Sequence, residues 1–191
     1  MPAARQEQIQ IVPDYSSKIM KTMPKDFWEQ SDYAMQTYEG EPLNDDLVSA
    51  VENSLGYKLP RSYVELMRTQ NGGIPLRTCF RTNQRTSWAT DHIAITGIYG
   101  IGFSKASTLC GQFRTAFWVD EWGYPPLGIY FADCPSAGHD MICLDYFAVG
   151  PDGEPRVVHV DQELDYRVTV LAETFEQFIL GLETEENFPV E

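Results

Sequence analysis

Leu55-Gly56-Tyr57-Lys58-Leu59-Pro60-Arg61-Ser62-Tyr63-Val64-Glu65-Leu66-Met67-Arg68-Thr69-Gln70-Asn71-Gly72-Gly73 reads as the end of one helix, a tight turn, a second short helix and a glycine stop. Pro60 suits the first turn of a helix, where its missing N–H has no intrahelical partner to lose. Tyr63, Leu66 and Met67 fall three and four residues apart, so they share one face. Asn71-Gly72-Gly73 supplies residues that tolerate positive φ and closes the helix. Nothing in the stretch carries catalytic chemistry. It predicts a scaffold that lays two short helices on a sheet.

Upstream, Asn44 is an N-cap candidate, and Asp45 and Asp46 put negative charge where the helix dipole favours it. Leu47, Val51 and Leu55 follow at four-residue steps, and Gly56 ends that helix. Trp28, Met35 and Tyr38 predict a further helix over residues 25–38, broken by Gly40-Glu41-Pro42. Residues 1–23 have weak periodicity and read as an irregular lead-in.

Downstream of Gly73 the pattern changes to short β-type runs between turn residues. The candidate strands are residues 93–98, 114–119, 128–132, 141–146 and 156–160. Met141-Ile142-Cys143-Leu144-Asp145-Tyr146 is apolar almost throughout, as a central strand should be. Pro151-Asp152-Gly153-Glu154-Pro155 and Pro135-Ser136-Ala137-Gly138 are hairpin signals, and successive hairpins imply an antiparallel sheet. Thr174 with Gln177 three residues on makes a capping box for a closing helix, whose apolar stripe is Leu171, Phe175, Phe178, Ile179 and Leu182. The acidic residues after Leu182 are expected to fray. The sum is an α+β fold: an antiparallel meander sheet packed with N-terminal helices and a C-terminal helix. Its expected division is an extension with a helix at 1–40, one domain at 41–184 and an acidic tail at 185–191.

The chain has 191 residues, and 43% hydrophobic content suffices for a core. It contains no apolar run of about 18 residues that would span a membrane. Its polar first eleven residues lack the apolar core of a signal peptide, so a cytoplasmic protein is expected. Cys79, Cys110, Cys134 and Cys143 form no CxxC pair or zinc pattern and read as reduced thiols. The net charge is −14, and residues 119–191 alone hold sixteen Asp/Glu against two Lys/Arg. An acidic face of this kind steers a basic partner and repels nucleic acid. No basic stripe argues for DNA or RNA binding.

Four segments could carry chemistry. Asp133-Cys134-Pro135-Ser136-Ala137-Gly138-His139-Asp140 gathers a thiol, a hydroxyl, an imidazole and two carboxylates. A Cys134 nucleophile with His139 as base is one reading. All these groups sit on one turn, however, and polar turn residues that satisfy backbone groups are the simpler reading. Asp91-His92 and His159-Val160-Asp161 invite a metal reading, but no HExxH or comparable spacing supports it, and no metal or cofactor is expected. Gly97-Ile98-Tyr99-Gly100-Ile101-Gly102 lacks the later glycine and acidic residue of a dinucleotide fold and reads as a bend. Phe117-Trp118-Val119-Asp120-Glu121-Trp122-Gly123-Tyr124-Pro125-Pro126 is aromatic and acidic, as protein-recognition surfaces often are.

Leu55-Gly56, Leu59-Pro60, Tyr63 and Asn71-Gly72-Gly73, with Glu52 in the preceding helix, resemble the N-terminal signature of the SMI1/KNR4 family of the SUKH superfamily. Gly138-His139-Asp140-Met141-Ile142-Cys143-Leu144-Asp145-Tyr146, then Val157-Val158-His159-Val160-Asp161, then Leu171-Ala172-Glu173-Thr174-Phe175-Glu176-Gln177-Phe178 resemble its later elements, in order. The segment 86–97 is similar to bacterial members. The resemblance implies an α+β fold with no enzyme activity. Bacterial members of the family are immunity proteins that neutralise polymorphic toxins, often nucleases; fungal members regulate cell-wall synthesis through protein contacts. The family supplies no catalytic residue, and its toxin-binding surfaces vary.

The expected function is therefore an immunity protein that binds a basic toxin domain. The alternative is a non-enzymatic regulatory interaction module. Charge and aromatic content nominate Asp120, Glu121, Trp122, Tyr124, Asp133, Asp140, Asp161, Glu163 and Asp165 as the toxin-binding surface.

Overall fold

The computed structural model describes residues 26–188. Helix α1 is Asp32–Thr37, α2 is Asp45–Leu55 and α3 is Arg61–Thr69. Strands β1 (Cys79–Arg81), β2 (His92–Ala94) and β3 (Gly97–Ile98) follow, then α4 (Thr115–Trp122). Strands β4 (Gly128–Asp133), β5 (Asp140–Asp145), β6 (Arg156–Asp161) and β7 (Arg167–Ala172) come next, then α5 (Phe175–Leu180) and β8 (Leu182–Glu183). The result is the α+β fold expected. Five antiparallel strands lie in the order β3-β4-β5-β6-β7, a meander, and a second sheet has the order β2-β1-β8.

The first signals act as read. Asn44 accepts from the Leu47 amide at 2.8 Å, and Gly56 ends α2 in the left-handed region at φ 74. Pro60 stands just before α3 rather than inside it, and its carbonyl accepts from the amides of Tyr63 and Val64. The Glu52 carboxylate takes the Leu59 amide at 3.0 Å and the Lys58 ammonium at 2.7 Å, which fastens the turn between the two helices.

The glycine stop does more than stop. Asn71 is buried; its amide nitrogen donates to the carbonyls of Glu41 and Ile101, and its oxygen accepts from the Ile101 amide at 2.7 Å. Gly72, at φ +90, passes so close that a Cβ there would sit 2.5 Å from the Tyr38 carbonyl. Gly73 then bridges Ile98 of β3. The end of α3 is thus pinned to the sheet edge.

The core forms between helices and the central strands. Tyr63 of α3 and Phe175 and Phe178 of α5 pack on Phe131 of β4, with ring centroids 5.6–5.9 Å from its own, and Tyr63 and Phe175 lie 4.8 Å from each other. Tyr130, next in the chain, packs instead on Tyr124 just beyond α4. The five residues 141–146 other than Asp145 are apolar and buried, and Asp145 is buried too, held by Arg156 at 2.8 Å.

Several expectations fail. Residues 115–119 are helical, with Arg114 extended at the N-cap, because Trp118 and Trp122 repeat at four residues and Gly123 caps the helix at φ 75. Residues 93–98 split between two sheets, with Ile95 and Thr96 at the crossing. The helix expected at 25–38 occupies only Asp32–Thr37, since Phe27 and Glu29 hydrogen-bond in extended form to Leu76 and Ile74; Lys25 and the lead-in 1–23 lie outside the described residues. Gln177 of the capping box returns to the amide of Glu173, one residue before the Thr174 cap. The chain after Leu182 does not fray as far as Phe188. It forms β8 against β1 and buries Phe188 beneath the Arg81 guanidinium, 4.4 Å from the ring centre.

Candidate protein-recognition site

Three chain segments meet at one end of the meander: the C-terminal turn of α4, the β4–β5 hairpin, and the short 3-10 turn Gln162–Leu164 after β6. Each is positioned by its own backbone chemistry. Gly123 ends α4 and releases the chain to Tyr124, whose hydroxyl donates to the Gly138 carbonyl at 2.7 Å across the hairpin. The Gln162 amide donates to the His139 carbonyl at 2.9 Å, which joins the 3-10 turn to the same hairpin. Asp165 and Tyr166 both take the left-handed conformation, turning the Tyr166 hydroxyl back to donate to the Trp122 carbonyl.

The outer surface of this junction is acidic around one aromatic. Trp122 is half-buried, and its ring lies 6.0 Å from that of His139. His139 is exposed and its Nδ1 lies 2.8 Å from Glu163. Asp120, Glu121, Glu163 and Asp165 are exposed. Beside Asp120 a cleft of about 390 Å³ opens between α2, α4 and β4, with Tyr57, Arg114 and Ile129 in its walls.

Four of the nine nominated residues do not belong to that outer surface. Tyr124, Asp140 and Asp161 are each no more than 1% exposed and cannot touch a partner in this conformation. Asp133 is half-buried with both oxygens engaged: Tyr38 donates its hydroxyl at 2.9 Å and Gly97 its amide at 3.0 Å. Burial pushes its carboxyl up to about 6, against the opposing pull of those two bonds. The remaining five stay on the surface: Asp120, Glu121 and Trp122 on the last turns of α4, Asp120 facing the cleft, and Glu163 and Asp165 on the 3-10 turn and its cap.

Beneath the surface lies a polar cluster. Asp140 opens β5 and stands directly across from Asp161, the last residue of β6. His159, two residues earlier on β6, places Nε2 2.7 Å from Asp140. Asp161 accepts from the amide and hydroxyl of Ser87, both at 2.8 Å, so the 82–91 loop is tied over this end of the sheet. Cys134 is 4% exposed, and burial together with Asp140 and Asp133 pushes its thiol well above the ordinary range. Its neighbours are Asp140 and His159, not the exposed His139. A buried neutral thiol of this kind is a poor nucleophile, and the Cys134–His139 pairing is not formed. All four cysteines are free.

Tyr166, Gln162 and Ser87 were not legible as site residues, and His139, nominated only as a base for Cys134, stands instead against Trp122 and Glu163. The partners of the first three lie up to 74 positions away in sequence, and no local spacing marks them.

The SUKH_6 family model, described as SMI1-KNR4 cell-wall, matches residues 45–179. The chain belongs to the SMI1/KNR4 family. The match runs from the first residue of α2 into α5 and takes in both the Leu59-Pro60 turn and the recognition junction. No curated protein matches significantly. Among the described residues, no helix is long and apolar enough to cross a membrane. Membership supports an immunity-protein-like or SMI1/KNR4-type role founded on binding other proteins.

Proposed function

We propose that this protein is a cytoplasmic immunity protein of the SMI1/KNR4 family, a non-enzymatic binder that neutralises a polymorphic toxin domain, of the basic nuclease kind. The observation that carries the reading is the junction itself: four exposed carboxylates, on the last turns of α4 and on the 3-10 turn and its cap, share one end of the meander with half-buried Trp122 on a hydrogen-bonded frame. A nuclease presents basic side chains to its polyanionic substrate. An acidic surface with an aromatic anchor competes for that same patch, the charge speeding encounter and the ring supplying apolar contact. The junction is held by hydrogen bonds that tie its three segments to one another, so little ordering entropy is lost on binding.

The test is co-expression with the toxin encoded beside its gene. The protein should co-purify with that toxin and rescue poisoned cells. Absence of both binding at low salt and rescue would sink the proposal.

A second reading rests on the family description, which names the cell wall. In that case the protein is a regulatory interaction module with endogenous partners. A pull-down from cells lacking any toxin gene separates the two.

A further inference from the structure

We propose that Cys134, Asp140 and His159 form a closed structural site for a divalent transition-metal ion of the zinc class. The three residues come from three positions: just past the end of β4, the start of β5 and the middle of β6. One donor atom from each lies within 4.8 Å of the other two, and all three residues are buried. A thiol, a carboxylate and an imidazole make the mixed donor set that a borderline ion such as Zn²⁺ accepts.

Two independent observations point to a cation. The first is unpaired polar atoms. Asp140 Oδ1 is buried without a hydrogen-bond partner beside the cluster, and His159 Nδ1 and Thr169 Oγ1 are likewise unpartnered on the β7 side of the imidazole; among the described residues the Glu65 carboxylate holds the one other such atom. Thr169 stands directly across from His159 on β7, so its side chain shares the same sheet face.

The second is charge. Asp140 and Asp161 face one another across neighbouring strands, at 1% and 0% exposure. Among the described residues, these two carboxylates meet one buried basic group, the imidazole of His159. Arg167 is the register partner of Asp161, but it is exposed and its guanidinium donates to the Arg85 carbonyl. Buried negative charge without a matching cation is costly, and a divalent ion at Cys134, Asp140 and His159 compensates it.

The required adjustment is small. Ligand atoms on a tetrahedral zinc sit about 3.5 Å apart, given bond lengths of about 2.0–2.3 Å. The His159–Asp140 contact at 2.7 Å opens slightly and the Cys134 sulfur closes in. Binding converts the thiol to thiolate and releases its proton to solvent, so affinity rises with pH.

The experiment uses the full chain, purified with a tag that needs no metal column, with Zn²⁺ and Co²⁺ alone as probes. Metal analysis should find one zinc per chain, or the metal-free protein should take up one Co²⁺ with a thiolate-to-cobalt charge-transfer band in the near ultraviolet. Cys134→Ala should abolish the band and weaken Zn²⁺ binding about a hundredfold or more. Cys143→Ala removes a buried thiol outside the cluster and should leave both unchanged. His159→Gln extends the test where it folds, and Cys134→Ala, a small uncharged change, keeps the test open where it does not. Absence of stoichiometric metal and of the band in the wild-type protein would overturn the site, as would a band that survives Cys134→Ala.

Discussion

At the scale of single residues, the side chains that hold this fold together are polar ones with distant partners. Asn71 satisfies two carbonyls and one amide in the core, joining the end of α3 to the segments around Glu41 and Ile101. Asn71→Ala strands those groups and should cost about 3 kcal/mol, summed from about 1–3 kcal/mol for each buried group left unpaired; urea unfolding measures it. Asp133 gives a pH signature. Its carboxyl is raised from 3.8 to about 6, so between those values the folded chain binds the proton more tightly than the unfolded chain. Its contribution to stability is full below about pH 4 and is lost as pH rises through about 6, a loss of up to about 3 kcal/mol. The stability advantage of wild type over Asp133→Asn should therefore be largest near pH 4 and shrink by pH 7. An advantage that grows with pH would contradict the assignment.

At the scale of elements, the sequence was legible where one local signal sufficed. Asn44, Gly56 and Thr174 marked helix ends because capping acts over three or four residues. Met141-Ile142-Cys143-Leu144 marked a central strand because both faces of β5 are buried. α4 runs against the strand expected there because a short aromatic run fits a strand as well as a helix, and the signals that tell them apart, Trp122 four residues after Trp118 and the Gly123 cap, lie beyond the run 114–119. Gly123→Ala should test that cap. The left-handed φ strains any Cβ, and the new methyl would meet the Tyr166 hydroxyl at 3.1 Å. The expected loss is about 1–2 kcal/mol in thermal unfolding. Ser87→Ala probes the loop over the polar cluster. It removes one of two bonds to Asp161 and should cost about 1–2 kcal/mol. Limited proteolysis should then cut faster within residues 82–91.

At the scale of the whole molecule, charge was legible and burial was not. The excess of acidic residues after Val119 located the region, yet composition does not say which carboxylates point out. Asp140 and Asp161 end up inside because they sit at paired ends of β5 and β6 beneath the 82–91 loop, a placement set by strand register and by a contact 74 residues long. Asp120, Glu121, Glu163 and Asp165 stay outside because they lie on a helix end and a surface turn. That difference makes the proposed toxin contact separable from the fold. Reversing the four exposed carboxylates to lysine removes no buried partner other than the exposed His139–Glu163 pair, so thermal stability should change little. Association with the toxin should slow by about ten- to a hundredfold at low salt, and the dependence of the rate on salt should flatten or invert. Trp122→Ala should act on the other rate, speeding dissociation while leaving the salt dependence of association in place. Stopped-flow measurements of both variants at low and high salt resolve the two effects, and a charge-reversed protein that associates as fast as wild type would place the toxin contact on another face.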